Sequence, residues 1–193
     1  MSKIVVSPGH TAEYKGAEKN GYVEYDICRS IADHLLGLPD VEVIDTNLSE
    51  RIKIINDIKP EVAVEIHTGN SNMYNHFGTK AFFMIYDRAS QQLAECLAGS
   101  VSTTLGNRGF KVYPGWYKKI TPKMKESGKI KTTQNPKMDY FLEKVTCTPA
   151  QIEPFFISNI QEVKRFCNED YYQKIADAIR RGIDDYLEGA NGK

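Results

Sequence analysis

The sequence predicts an α/β fold: one domain with a mostly parallel twisted sheet of about six strands flanked by helices. Three observations carry this expectation. Short β-branched runs alternate with longer segments of helical periodicity, the pattern that lays helices on a parallel sheet. The chain has 193 residues and 41% hydrophobic content, enough for one core and too little for two. No internal repeat, heptad run or linker divides it, so residues 1–193 read as a single unit.

In chain order, Lys3–Ser7 reads as a first strand, stopped by Pro8-Gly9. From Val23 to Leu36, apolar residues at Val23, Ile27, Ile31 and Leu35 recur at helical spacing. Val41–Asp45 is a second strand, and Asn47–Lys59 a helix with Leu48, Ile52 and Ile55 on one side and Pro60 past its end. Glu61–His67 reads as a central strand, with Thr79–Ile85 its neighbour across a Gly/Asn-rich loop. Ala89–Leu105 is a further helix that Gly106 stops, Ile152–Ile157 a last strand, and Tyr171–Leu187 a closing amphipathic helix. Over residues 111–144 the periodicity fails. That stretch is lysine-rich and punctuated by Pro114, Gly115, Pro122, Gly128 and Pro136, and it reads as a basic, loop-rich insertion. Its aromatics, Tyr113, Trp116 and Tyr117, suit a flap over an anionic polymer, and a solvated surface excursion reads equally well.

Lysine plus arginine equals aspartate plus glutamate at 25 each, so no global charge advertises a nucleic acid or a membrane surface. Cys28, Cys96, Cys147 and Cys167 are widely spread with no CxxC pair, which favours scattered thiols over disulfides. The apolar run near the N-terminus, Ile4 to Val6, is far too short for a signal peptide or a membrane span. The expectation is synthesis in the cytoplasm without stable membrane insertion, so a substrate outside the membrane would require release. Nothing in the sequence sets an oligomeric state.

His10 directly follows the first strand and His67 ends the third, so both fall at carboxyl ends, where sites gather in open α/β sheets. Glu24 lies in the first turns of the next helix, near the same edge. Two imidazoles and a carboxylate are the open three-ligand set of a catalytic zinc site. Such a site also needs a proton carrier, and Glu153, a carboxylate within an apolar strand, is the candidate. Taken singly, each residue has a plainer meaning: His10 as a hydrogen-bonded loop residue, Glu24 as an exposed helix residue. His34 and His76 read as non-ligands, and Glu65, which alternation turns away from Ile66, as a partner behind the ligands.

These residues sit in motifs that resemble the zinc-dependent N-acetylmuramoyl-L-alanine amidases of the type-3 family, found in phage endolysins and bacterial autolysins. The resemblance runs from Ile4 to about Tyr186. It is carried by Pro8-Gly9-His10, by Gly21 to Asp26 around Glu24, and by Glu65-Ile66-His67-Thr68-Gly69-Asn70. Gly78-Thr79, Arg108-Gly109-Phe110-Lys111 and Pro149 to Asn159 around Glu153 complete it. The chain departs from the family pattern in the later position of Asn70, the shifted Pro149, and Phe155 where glycine is frequent.

The resemblance implies one Zn²⁺ per chain on His10, Glu24 and His67, catalysis by Glu153, and substrate contacts from Asn70, Arg108 and Lys111. The substrate implied is peptidoglycan, cut between N-acetylmuramic acid and L-alanine. The lack of a signal-peptide pattern suggests a phage or prophage lysin released by a pore-forming partner, or an intracellular spore-lysis enzyme, and the resemblance favours the former. The expectation is action on the cell wall without a separate wall-binding domain. Two rivals stand beside it: a zinc peptidase acting within the stem peptide, and a non-catalytic wall-binding module.

Overall fold

A computed structural model describes residues 4–73, 75–107, 109–117 and 137–191. Its strands are β1 (Ile4–Pro8), β2 (Glu18–Lys19), β3 (Tyr22–Val23), β4 (Val41–Val43), β5 (Val62–Ile66), β6 (Thr79–Phe83), β7 (Phe110–Pro114), β8 (Trp116–Tyr117), β9 (Lys137–Met138) and β10 (Thr148–Glu153). Its helices are α1 (Glu24–Asp33), α2 (Leu48–Ile58), α3 (Arg88–Leu105), α4 (Tyr140–Lys144), α5 (Ile160–Phe166) and α6 (Glu169–Asn191).

Six strands form one twisted sheet in the order β4-β1-β5-β10-β6-β7. The first four run parallel, β6 is antiparallel to β10, and β7 is parallel to β6. The sheet is thus mostly parallel, as the sequence predicts. Its central strands are buried on both faces, which is why β1 and β5 read as near-continuous apolar runs.

Alternation divides the sheet's side chains between two layers. Ile4, Val6, Val62, Val64, Ala81, Ala150 and Ile152 pack with α1, α3 and α6 in the larger core. Val5 and Ala63 pack with α2 and α4 in the smaller one. The α3 and α6 helices approach closely: a Cβ on Gly182 would fall 2.8 Å from the Leu97 Cα, so only glycine fits there.

Several helix ends follow from local chemistry. Asn47 caps α2 by accepting from the Glu50 N–H at 3.1 Å, and Asp87 caps α3 by accepting from the Ser90 N–H at 3.0 Å. Gly106 ends α3 in the left-handed conformation, φ 66°.

The structure corrects several sequence expectations. Thr79–Ile85 does not adjoin β5, because β10 lies between them. The last strand is Thr148–Glu153 rather than Ile152–Ile157. Phe155, Phe156 and Ile157 are buried in the loop after it, so their apolar run marks core and not ladder. The first helix ends at Asp33, and the closing helix runs from Glu169 to Asn191. Within 111–144, β7 is an edge strand, β8 pairs with β9 and α4 is a short helix, while residues 118–136 of the expected basic, loop-rich insertion lie outside the described residues. The helix α5 and the β2–β3 hairpin have no counterpart in the sequence reading.

Candidate metal centre

The carboxyl ends of β1 and β5 lie side by side, with Pro8 registered against Ile66 and the Gly9 N–H donating to the Ile66 carbonyl at 2.7 Å. His10 and His67 therefore emerge from neighbouring strand ends, and their ring centroids are 5.0 Å apart and nearly perpendicular. Glu24 is the first residue of α1 and faces both. Its Oε2 is 3.2 Å from His10 Nε2, and its Oε1 is 3.2 Å from His67 Nδ1. One ligand-bearing atom from each residue lies within 4.8 Å of the other two. Among the described residues, no other group of histidine, cysteine or carboxylate side chains is arranged this way. His34 instead pairs with Glu169 at 3.2 Å, and His76 packs on Phe156.

The backbone is shaped to this cluster. His10 adopts φ 70°, a conformation that L residues avoid at a cost of about 1–3 kcal/mol. A Cβ on Gly9 would fall 2.5 Å from His67 Nδ1. One on Gly16, itself at φ +76°, would fall 2.6 Å from His10 Nε2 and 2.7 Å from Glu24 Oε2. Two glycines thus cradle the donor atoms. Donor chemistry and cradle together fit a zinc ion.

Glu24 is fixed from behind by the Ala17 N–H at 2.9 Å and the Thr68 N–H at 3.0 Å. Burial raises its carboxyl pKa, but hydrogen bonds from both histidines and the Thr68 N–H hold it well below the usual carboxylate range. Burial likewise lowers the His67 pKa, and the charges and hydrogen bonds of Glu65 and Glu24 more than offset this, carrying it up to about 10.

Behind His67 lies a network that sequence reading left incomplete. Glu65, registered beside Ser7 on β1 and Gln151 on β10, reaches His67 Nε2 at 3.0 Å. With Nε2–H donated to Glu65, loss of the proton that Nδ1 shares with Glu24 would leave the Nδ1 lone pair aimed at the metal position. The Gln151 amide donates to Glu65 Oε2 at 2.7 Å and to Asp139 Oδ1 at 3.1 Å. Arg51 is buried and ion-paired to Glu65. Its Nη2 also donates to the carbonyls of His10 and Thr46, both at 2.8 Å. One guanidinium thereby holds the strained His10 backbone and the carboxylate that orients His67. Burial would raise the Glu65 pKa, but His67, Arg51 and Gln151 hold it down to about 2. The sequence did carry a signal: Arg51 sits on the apolar stripe of its helix, between Leu48 and Ile55, where a charge needs a buried partner.

Replacing Glu65 with glutamine is therefore expected to weaken zinc binding about 10- to 100-fold, read by competition with a chromophoric chelator. The melting temperature should fall as well, because Arg51 loses its buried partner. Unchanged affinity would rule out the orienting role.

Glu153 ends β10, one residue beyond the Ile152–Ile66 pair, and the Ile152 carbonyl accepts the His67 N–H at 2.9 Å. It therefore lies at the sheet level of His67. Its Oε2 is buried with no hydrogen-bond partner in the structure, and Lys80 Nζ stands 3.9 Å away. Burial raises its carboxyl pKa, while the charges of Lys80 and His67 oppose this. A buried carboxyl oxygen with no hydrogen bond and a distant counter-charge, beside a ligand cluster, is chemically poised to take up and release a proton.

Of the other residues implicated by the sequence, Lys111 is exposed on β7, and Asn70 is exposed just past the Gly69–Phe156 bridge. Arg108 lies outside the described residues. Lys80 was missed, although a lysine in the otherwise apolar strand Thr79–Phe83 was its signal.

Comparison with known proteins follows the same lines. A family model described as N-acetylmuramoyl-L-alanine amidase matches residues 4–185. The uncharacterized protein YqiI of Bacillus subtilis (strain 168) is 26% identical over 198 residues, covering 96% of this chain and 84% of that protein. Among solved structures, an N-acetylmuramoyl-L-alanine amidase from Clostridium difficile 630 aligns with a TM-score of 0.76 at 20% identity, covering 96% of each chain. The CwlD amidase from Clostridioides difficile, solved in complex with the GerS lipoprotein, aligns with a TM-score of 0.76 at 22% identity, covering 96% of this chain and 98% of that one. At that identity the structural likeness speaks to the fold.

Proposed function

The chain belongs to the N-acetylmuramoyl-L-alanine amidase family, and from that premise we propose that it hydrolyses the amide bond between N-acetylmuramic acid and L-alanine in peptidoglycan with one zinc ion per chain. The observation that carries the reading is the convergence of His10, Glu24 and His67 on one point beside Glu153, whose buried Oε2 makes no hydrogen bond among the described residues and has Lys80 as a counter-charge at 3.9 Å.

His10 Nε2, a Glu24 carboxylate oxygen and His67 Nδ1 would hold the ion. When bound, zinc brings the pKa of water to near 7 and polarises a carbonyl oxygen. The chain supplies the rest. Glu153 takes the proton from the water that attacks the lactyl carbonyl carbon. It then delivers that proton to the alanine nitrogen as the C–N bond breaks. Glu24, fixed by two backbone N–H groups, and His67, oriented by Glu65, keep the ligands in place without reorganisation.

Metal loading should displace a proton, because His67 is protonated at neutral pH in the metal-free protein. About one proton released per zinc ion is expected in calorimetric titrations across buffers of different ionisation enthalpy. The sign follows from the raised pKa: as pH falls the imidazole holds its proton more firmly, so zinc affinity drops, by about tenfold per unit between pH 8 and 6. Zinc binding with no proton release would place the ion elsewhere.

Mass spectrometry of digested peptidoglycan, with and without a chelator, tests the reaction. The amidase releases whole stem peptides with free L-alanine amino groups, and the chelator stops it. Internal amines of the stem peptide would make it a peptidase, and no release at all would leave a wall-binding module. We further propose that the protein is made in the cytoplasm and reaches the wall after release by a pore-forming partner, as a phage or prophage lysin does. Host lysis on co-expression with such a partner, and none without it, is the expected result.

A further inference from the structure

The next step rests on the amidase reading and concerns which part of the substrate the open half of the sheet grips. Glu153, Lys80 and Lys111 are register partners across β10, β6 and β7. Registered neighbours project from the same face, so the three side chains form a row that begins beside His67 and leads away from the metal position. Lys80 Nζ is 3.9 Å from Glu153 and 4.2 Å from the Phe156 ring centroid. Lys111 is exposed, and among the described residues it has no ion-pair partner. Like charges at adjacent positions of neighbouring strands repel. Here one carboxylate, itself needed for proton transfer, stands against two ammonium groups.

The space around the pair is built like a binding groove. A cleft of about 350 Å³ is lined by Lys80, Lys111, His76, Phe77, Phe110 and Tyr113 among others, and among the described residues no acidic one lines it. Phe77 is 66% exposed and Tyr113 39%, so apolar ring surface stands open to solvent beside two cations. Rings supply contact area for a chain, and the ammonium groups supply point charges for an anion.

Position along the row assigns the occupant. Glu153 must reach the nitrogen that leaves, and that nitrogen belongs to the peptide. A leaving nitrogen at Glu153 would turn the sugar side of the scissile bond toward the metal position and carry the peptide side past Glu153 toward Lys80 and Lys111. We propose that Lys80 and Lys111 form a carboxylate-binding subsite for the peptide half of the substrate, on the leaving-nitrogen side of Glu153. The two ammonium groups pair with a free carboxylate of the stem peptide near its N-terminal end, and the cleft favours acidic stems over amidated ones.

The test uses the zinc-loaded full chain and two muramoyl dipeptides, one whose second residue carries a free carboxylate and one with that group as a carboxamide. The wild type should favour the carboxylate in kcat/KM by about tenfold or more, mainly through KM. Lys111→Ala and Lys111→Glu should bring the ratio to about one or below, and Lys111→Arg should retain a preference. Calorimetric titration of the two corresponding free peptides, which needs no turnover, should show the same preference and the same dependence on Lys111. Equal kcat/KM for both compounds, or a preference that survives Lys111→Glu, would overturn the subsite while leaving the amidase reading intact. Lys111-dependent peptide binding without cleavage of either compound would sustain the subsite and remove the amidase reading. Neither binding nor cleavage would remove both.

Discussion

Replacing Glu153 with glutamine is expected to lower turnover by about 10²- to 10⁴-fold while the protein keeps one zinc ion per chain. The two readouts separate because Glu153 is not among the three residues whose donor atoms converge. It stands one step along the sheet from His67, with its Oε2 buried, without a hydrogen bond and 3.9 Å from Lys80 Nζ. Glutamine keeps the shape and removes only the capacity to accept and return a proton. Burying an ionisable group with so little compensation is costly, and a proton-transfer role accounts for it where packing would have favoured an apolar residue. Hydrolysis measured against zinc content decides the matter. A glutamine variant with near wild-type turnover would take the base role away from Glu153.

Replacing His67 with alanine should abolish metal binding and activity together. His67 joins two halves of the site: Nδ1 faces Glu24 and the metal position, and Nε2 meets Glu65. Its loss removes one of three ligands and leaves two buried carboxylates without the imidazole that separates them. Arg51 still pairs with Glu65, so the fold should survive with a reduced melting temperature. Zinc content by atomic absorption, read beside turnover, is the measurement. An inactive variant carrying a full equivalent of zinc would contradict ligation by His67.

The parts of the site legible in the sequence were those that sit on strong local signals. The β-branched runs that end at Pro8-Gly9 and at His67 marked two strand ends, and the helical period starting near Val23 put Glu24 at a helix N-terminus. Ligands on the ends of separate strands meet whenever those strands are neighbours, and β1 and β5 are. Strand order itself was not legible. The insertion of β10 between β5 and β6 joins residues 86 apart on one side and 67 to 73 apart on the other, and no local pattern encodes such pairing.

The start of β10 was hidden because Pro149 and Gln151 interrupt its apolar run, and Pro149 lacks the N–H expected of a central strand. Gln151 sits there to donate to Glu65, so the interruption is itself part of the site. Gln151 and Asp139 were missed for one reason. Each looks like an ordinary polar residue until its partner, distant in sequence, is brought beside it. The seven-residue helix α5, capped by Asn159, is too short to show a helical period.

The central claim, that His10, Glu24 and His67 share one zinc ion, is tested most directly by anomalous diffraction at the zinc edge from crystals of the zinc-loaded protein. One peak about 2.0–2.2 Å from a nitrogen of each histidine and an oxygen of Glu24 is the expected result. A peak that leaves out any of the three, or an ion bound elsewhere in the molecule, would contradict it.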